Sequence, residues 1–286
     1  MVTKLNGHSG CKLKLLETEG KGQLCVRKLS SCKDYNYRLK KQYIKQRLFI
    51  NSSNIFTPFC CCYGYDNELF YFDMEYIDGD NFARYFQKIT KDEIIYYIDL
   101  LIGNLINSQN TKIYRLNKID NNKIFLSKIN ALKSKNIKSD EYNKALKLLE
   151  RFDWNNIEYS ICHGDLTLEN IIIDNNKNIY LIDFLDSFFN SWMIDAAKIL
   201  QDLDIRWSFR NDILDSNFEE KLNLAKNLFI ENIKKINNNY LLSIYFCLLL
   251  NIVRIYPYTK DKKTFDFLDN SINKILLTIE YYEEND

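Results

Sequence analysis

Cys162-His163-Gly164-Asp165-Leu166-Thr167-Leu168-Glu169-Asn170-Ile171 is followed, after a short polar break, by Tyr180-Leu181-Ile182-Asp183-Phe184. In both pieces, polar residues stand at fixed offsets between runs of Ile and Leu. Asn170 lies five positions after Asp165, and Asp183 lies thirteen after Asn170. Five positions span a tight loop and the start of a strand. Thirteen fit a hairpin: 170–174 going out, Asn175-Asn176-Lys177-Asn178 turning, and 179–182 coming back. Such a hairpin returns Asp183 to the side of Asn170. Packing gives no reason for two Asp and one Asn at the ends of buried strands.

Phosphoryl transfer does give one, because it needs a base, a metal-holding amide and a metal-holding carboxylate converging on one point. The spacing is that of a kinase catalytic loop and its metal-binding Asp. The variant here, His-Gly-Asp with Ile-Asp-Phe, resembles the aminoglycoside phosphotransferase and choline kinase family of small-molecule kinases. The resemblance is strongest over 161–203, fair over 6–80 and weak elsewhere. It implies a two-lobed, protein-kinase-like α+β fold: a small antiparallel sheet of five strands with one helix, then a larger, mainly helical lobe. It also implies ATP and Mg2+ as cofactors and transfer of the terminal phosphate to a hydroxyl of a small molecule. Asp165 would be the base or hydroxyl-orienting carboxylate, with Asn170 and Asp183 holding magnesium. His163 would support the loop rather than shuttle protons. Asp195, near the start of the next helix, matches a family Asp that braces the loop; an acidic residue favoured in a helix first turn is the other reading. Asp186 takes no role.

Working outward, the first seventy-seven residues suggest the small sheet. Lys12–Glu17 and Gln23–Leu29 are strand-like, and Ile55–Tyr65 and Leu69–Ile77 flank the turn Asp66-Asn67. Asn6-Gly7-His8-Ser9-Gly10 is a small-residue loop before a strand, able to bring backbone amides close to a polyphosphate; an ordinary hairpin turn is the alternative. By resemblance, Lys28 would bind the phosphates. Alternation sets it on the face of Val26 and Arg27 on the other. Glu75, Tyr76 and Ile77 would form the backbone hinge for adenine. Asp34–Ile50 has Leu39, Tyr43 and Leu48 at helical spacing, with Asp34 as N-cap. That helix contains no Glu to pair with Lys28, and only Gln42 and Gln46 stand near the expected place.

The composition shift at Met74–Asp80 suggests lobes at 1–77 and 81–286, with 78–80 as hinge. Thr90 and Glu93 form a capping-box signature before the apolar stripe Ile94, Ile98, Leu101 and Leu105. Residues 110–138 are polar and poorly patterned, which predicts a loop or short surface elements. Glu141–Phe152 is helical in pattern. Ser191 is an N-cap for a helix through about Asp204, and two or three more helices complete the chain.

Composition narrows the function classes. Lys plus Arg (39) nearly balances Asp plus Glu (38), so bulk nucleic-acid binding or attraction to an acidic membrane is not expected. The eight cysteines lack paired zinc spacing, and buried thiols in a reducing cytoplasm are the default. The apolar run 240–256 is broken by Ser243, Asn251 and Arg254, short of the ~18 uninterrupted residues of a membrane span, and reads as a core helix. The N-terminus has no apolar signal region. Ser191 comes only eight positions after Asp183. That is too few for a peptide-docking activation segment, so a small acceptor is favoured over a protein. A non-catalytic nucleotide-binding protein is the alternative from another class. Trp192, Trp207, Tyr256 and Tyr258 could line a cation pocket; with aromatics at 14%, core packing explains them as well. The acidic stretch 201–220, with Asp202, Asp204, Asp212, Asp215, Glu219 and Glu220, reads as a solvated helix face, with an acidic cradle for an aminoglycoside as the alternative. The acceptor stays open among sugar, polyol, amino alcohol and aminoglycoside, with sugar or polyol preferred.

Overall fold

A computed structural model of the chain describes residues 3–5, 11–17, 24–50, 52, 54–111 and 120–285. Contacts divide the chain into two compact units. Unit 1 comprises residues 1–85, 163–165 and 169–187, and unit 2 the remainder. The hairpin after Asp165 therefore groups with the N-terminal residues.

Unit 1 holds β1 (Thr3–Leu5), β2 (Cys11–Glu17), β3 (Leu24–Ser30), α1 (Asn36–Leu48), β4 (Ile55–Phe56), β5 (Cys60–Asp66), β6 (Leu69–Glu75), β7 (Gly79–Asn81), α2 (Phe82–Tyr85), β8 (Ile171–Asp174) and β9 (Ile179–Leu181). Five strands form an antiparallel sheet in the order β1-β2-β3-β6-β5. Alternation along β6 sends Phe70, Phe72 and Met74 to one face. There they meet Val26 of β3 and Leu39 and Tyr43 of α1, four residues apart on one helix stripe. The opposite face carries Arg27 paired with Asp73, with the guanidinium over the Tyr71 ring.

A second sheet runs β4-β9-β8-β7: the hairpin expected from sequence, β8–β9, gains β4 and β7 at its two edges. Ile55–Phe56 does not continue into β5; it pairs parallel with β9, and the sheet strand begins only after Pro58. Asp34 is not a cap either. It lies inside a 3-10 turn, Lys33–Tyr35, that runs directly into α1.

Unit 2 is built from α3 (Lys91–Asn110), α4 (Asn121–Lys133), α5 (Asp140–Leu149), α6 (Trp192–Leu203), α7 (Ser216–Ile236), α8 (Tyr240–Val253) and α9 (Lys262–Asn285). Thr90 and Glu93 make both halves of the capping box, and the four stripe residues of α3 are fully buried. Around α8 pack α5, α6, α7 and α9. Being enclosed on nearly all sides explains why its sequence is apolar all round.

Within 110–138, where the sequence suggests a loop or short surface elements, the described residues include a full helix. α4 occupies 121–133, capped by Asp120, and buries Phe125, Ile129 and Leu132. Its anchors are spaced for a narrow stripe among Lys and Asn, so the pattern was too sparse to count. Phe125 stacks on Trp154 at 4.2 Å and touches Phe188 and Phe189. Phe125→Ala should cost about 3–5 kcal/mol, read as a lowered denaturation midpoint; a midpoint equal to wild type would show that this cluster does not hold α4.

Candidate active site

The polar set rests on the β8–β9 hairpin. Ile171 faces Leu181 and Ile173 faces Ile179, and all four are buried. At the turn, the Asp174 carboxylate accepts the N–H groups of Asn176 and Asn178 at 2.9 and 2.8 Å. Lys177 takes the left-handed conformation that closes the loop. Beyond the last strand pair, the Ile182 N–H donates to the Asn170 carbonyl at 3.0 Å. This bond sets Asp183 beside Asn170. Asp183 itself has φ 61°, a conformation rare outside glycine but tolerated by Asp, of the kind found where function fixes the backbone.

Asn170 Nδ2 donates to the Asp165 carbonyl at 2.8 Å and to its carboxylate at 3.2 Å. The amide orientation leaves Oδ1 as the acceptor end of that side chain. His163 Nε2 donates to the Ile182 carbonyl at 2.7 Å, while its Nδ1 accepts the Asp165 N–H at 3.2 Å. Both bonds require one neutral tautomer. Burial drives the His163 pKa down to about 4, partly offset by Asp165. The ring is thus a backbone brace across loop and hairpin. Gly164 has φ +92°, and a Cβ there would fall 2.2 Å from Ser187 Oγ.

Lys28 is 3% exposed and its Nζ pairs with Asp183 Oδ1. Arg27 is on the far face with Asp73, as alternation requires. Neither glutamine replaces the missing helix carboxylate at Lys28. Gln42 donates to the Tyr35 hydroxyl at 3.1 Å and Gln46 to the Pro58 carbonyl at 3.0 Å. At the end of β6, the Glu75 N–H is taken by Phe59 and the Tyr76 N–H by Leu24. Ile77 follows at the connection to β7. Gly7, His8, Ser9 and Gly10 lie outside the described residues.

In unit 2, Asp195 is buried in the first turn of α6. A carboxylate of the acidic stretch, Asp202, has clearer partners. It accepts the Leu168 N–H at 2.7 Å, two positions before Asn170, and also the Ser208 N–H and hydroxyl. Asp204 is buried too, between Lys274 and Lys226, with the Tyr245 hydroxyl donating to it. The start of the acidic stretch is therefore interior rather than a solvated face. The signal was available: Asp202 and Asp204 sit at the end of an apolar helix. Of the four suggested aromatics, Trp192 and Tyr256 are core members, donating to Glu158 and Asp269, whereas Tyr258 is exposed.

The oxygen donors suit a hard cation. Asn170 Oδ1 and the part-exposed Asp183 carboxylate offer one or two protein ligands, the pattern of magnesium held jointly with phosphates rather than in a protein cage. No cluster of three or more His, Cys, Asp or Glu able to hold a metal occurs among the described residues.

A small antiparallel sheet with one helix, a larger helical part and this loop-and-hairpin set define the protein-kinase-like class of phosphotransferases. Residues 43–221 match the family described as "Phosphotransferase enzyme family" (APH), more than half of the sequence, and the chain belongs to that family. Similar solved structures include choline kinase LicA from Streptococcus pneumoniae, 17% identical, covering 96% of this chain and 93% of that one with a TM-score of 0.56. An aminoglycoside-3'-phosphotransferase of type VIII is 14% identical over 96% and 93%, with a TM-score of 0.53. Choline kinase from Cryptosporidium parvum Iowa II is 13% identical over 100% and 89%, with a TM-score of 0.56. At these identities the likeness establishes the fold. No curated protein matches the sequence.

Two outcomes follow from the loop geometry. The folded His163 pKa of about 4 lies below the unfolded value of about 6.5, so only the unfolded chain takes up a proton between them. Stability contributed by neutral His163 is complete above about pH 6.5 and is lost as pH falls towards 4, by up to about 3 kcal/mol. His163→Gln should flatten that part of the stability profile; an unchanged slope would show that His163 is not its source. Gly164→Ala should abolish activity and destabilise by about 1–3 kcal/mol through the left-handed backbone alone. Adding Ser187→Ala should return only the steric part.

Proposed function

We propose that this protein transfers the terminal phosphate of ATP to a hydroxyl of a small molecule, with Mg2+ as cofactor. The observation that carries the reading is the convergence of Asp165, Asn170, Asp183 and Lys28 within unit 1, tied by bonds that folding alone does not require. Asp165 would orient the acceptor hydroxyl and take its proton as the oxygen attacks in line. Asn170 keeps that carboxylate in place through its amide N–H. Asn170 Oδ1 and Asp183 would hold the metal, which when bound neutralises charge on the phosphates. Lys28, buried on the face of Val26, presents its ammonium at Asp183 and would pair with the nucleotide phosphates there. His163 stays neutral and holds geometry. Much of the rate would come from positioning and charge neutralisation.

Membership of the phosphotransferase family supports the reaction class. The names of the similar structures, choline kinase and aminoglycoside phosphotransferase, make amino alcohols and aminoglycosides acceptors to test beside the sugars and polyols preferred from sequence. Trp192 and Tyr256 are core members and Tyr258 is exposed, so core packing accounts for two of the four candidate aromatics. The brevity of 184–190 favours such acceptors over protein, and a cytoplasmic location suits their supply.

ADP release from ATP and magnesium, measured across a panel of these alcohols, tests the reading. Asp165→Asn should lower turnover about 10²- to 10⁴-fold while nucleotide still binds. Equal turnover by wild type and Asp165→Asn on every acceptor would end the enzyme reading.

A further inference from the structure

Residues 184–186 meet α1 in a regular way that the reaction as proposed does not use. The Phe49 ring, at the C-cap of α1, packs edge-on against Phe184 at 5.4 Å. One turn earlier, Lys45 Nζ donates to the Leu185 carbonyl at 2.9 Å. One turn earlier again, Lys41 Nζ lies 3.6 Å from Asp186 Oδ1, and that carboxylate raises the Lys41 pKa. Positions 41, 45 and 49 are four apart and form one ridge. Each step back along the ridge advances one residue along the segment that leaves Asp183. The sheet-facing stripe, Leu39 and Tyr43, is a different side of the same helix.

Lys45 is the central contact of the three. Its ammonium stands 3.0 Å from where a Gly164 Cβ would be, so it lies against the loop between His163 and Asp165. Its carbonyl partner belongs to Leu185, whose N–H donates to the His163 carbonyl at 3.1 Å. One lysine therefore lies against the residue before Asp165 and bonds the second residue after Asp183. A charge-assisted bond to a part-buried carbonyl is stronger than a neutral one and resists exchange for water.

We propose that Lys45 is a positioning residue: it anchors α1 to the Asp183 segment and the Asp165 loop, doing through Leu185 what no helix carboxylate does through Lys28. The proposal rests on the phosphotransferase reading. It places the orientation of Asp183 and Asp165 under the control of α1 without any contact from Lys45 to substrate.

Lys45→Met and Lys45→Arg in the full chain test it by two readouts. In steady-state kinetics with the best acceptor of the panel, Lys45→Met should lower kcat about 10- to 100-fold, the scale of a small misplacement of reacting groups, with KM for ATP little changed. Lys45→Arg should recover most of kcat, and Lys41→Met should cost less than Lys45→Met. In amide hydrogen exchange, Lys45→Met should speed exchange at 185–187 about 10-fold with β2 and β3 unaltered, as a local opening. Unchanged exchange at 185–187 overturns the anchor whether or not the protein is an enzyme. Faster exchange with wild-type kcat overturns the positioning role. If instead wild type and Asp165→Asn turn over alike, the phosphotransferase reading fails, and a catalytic positioning role for Lys45 fails with it, while exchange still decides the anchor.

Discussion

The hydrogen bond from the Ile182 N–H to the Asn170 carbonyl is the constraint on which the site depends. It extends the β8–β9 pairing by one step past Ile171 and Leu181. A one-residue slip in an antiparallel pair would turn every side chain to the other face. The isoleucines would then lose their burial, so packing of Ile171, Ile173 and Ile179 enforces the register that sets Asp183 beside Asn170. Apolar burial thus determines the separation of two polar groups that contribute little to the core.

Around that hairpin, bonds to backbone groups hold the loop. His163 spans from the Ile182 carbonyl to the Asp165 N–H, Leu185 returns a bond to the His163 carbonyl, and Asn170 grips Asp165. Keeping His163 neutral is part of this design, because an imidazolium would have to donate from both nitrogens and could no longer accept the Asp165 N–H. Within unit 2, Asp202 holds the Leu168 N–H. The left-handed backbone at Gly164 and Asp183 is affordable because these bonds over-determine it.

Lys28 shows how the small sheet joins this network. A buried ammonium needs a partner, since an uncompensated buried charge is costly. With no Glu in α1, Asp183 is that partner. The helix instead meets the segment after Asp183 through Phe49, Lys45 and Lys41. Gln42 and Gln46, which stood in the expected place by count, serve Tyr35 in the 3-10 turn before α1 and Pro58 in the β4–β5 connection.

Much was legible in the chain alone. The five- and thirteen-residue spacings identified the loop and hairpin, because strand and turn geometry convert sequence separation into distance. Alternation put Lys28 and Arg27 on opposite faces, and capping chemistry marked Thr90 and Ser191. These are local rules; one local signal failed, the cap at Asp34, which a 3-10 turn took in. The other failures were non-local. Ile55–Phe56 found its partner in β9, more than a hundred residues away; α4 took its stability from Trp154 and Phe189; and Asp202 and Asp204 were buried by elements their own pattern does not mention. The sequence by itself brought out Asp165, Asn170, Asp183 and Lys28, which gather in unit 1, and the class of fold that carries them. Only the tertiary structure decided what braces them: Asp183 for Lys28, Asp202 for Leu168 and Lys45 for Leu185. Such pairings depend on which surfaces meet, and no periodicity along a single chain encodes that.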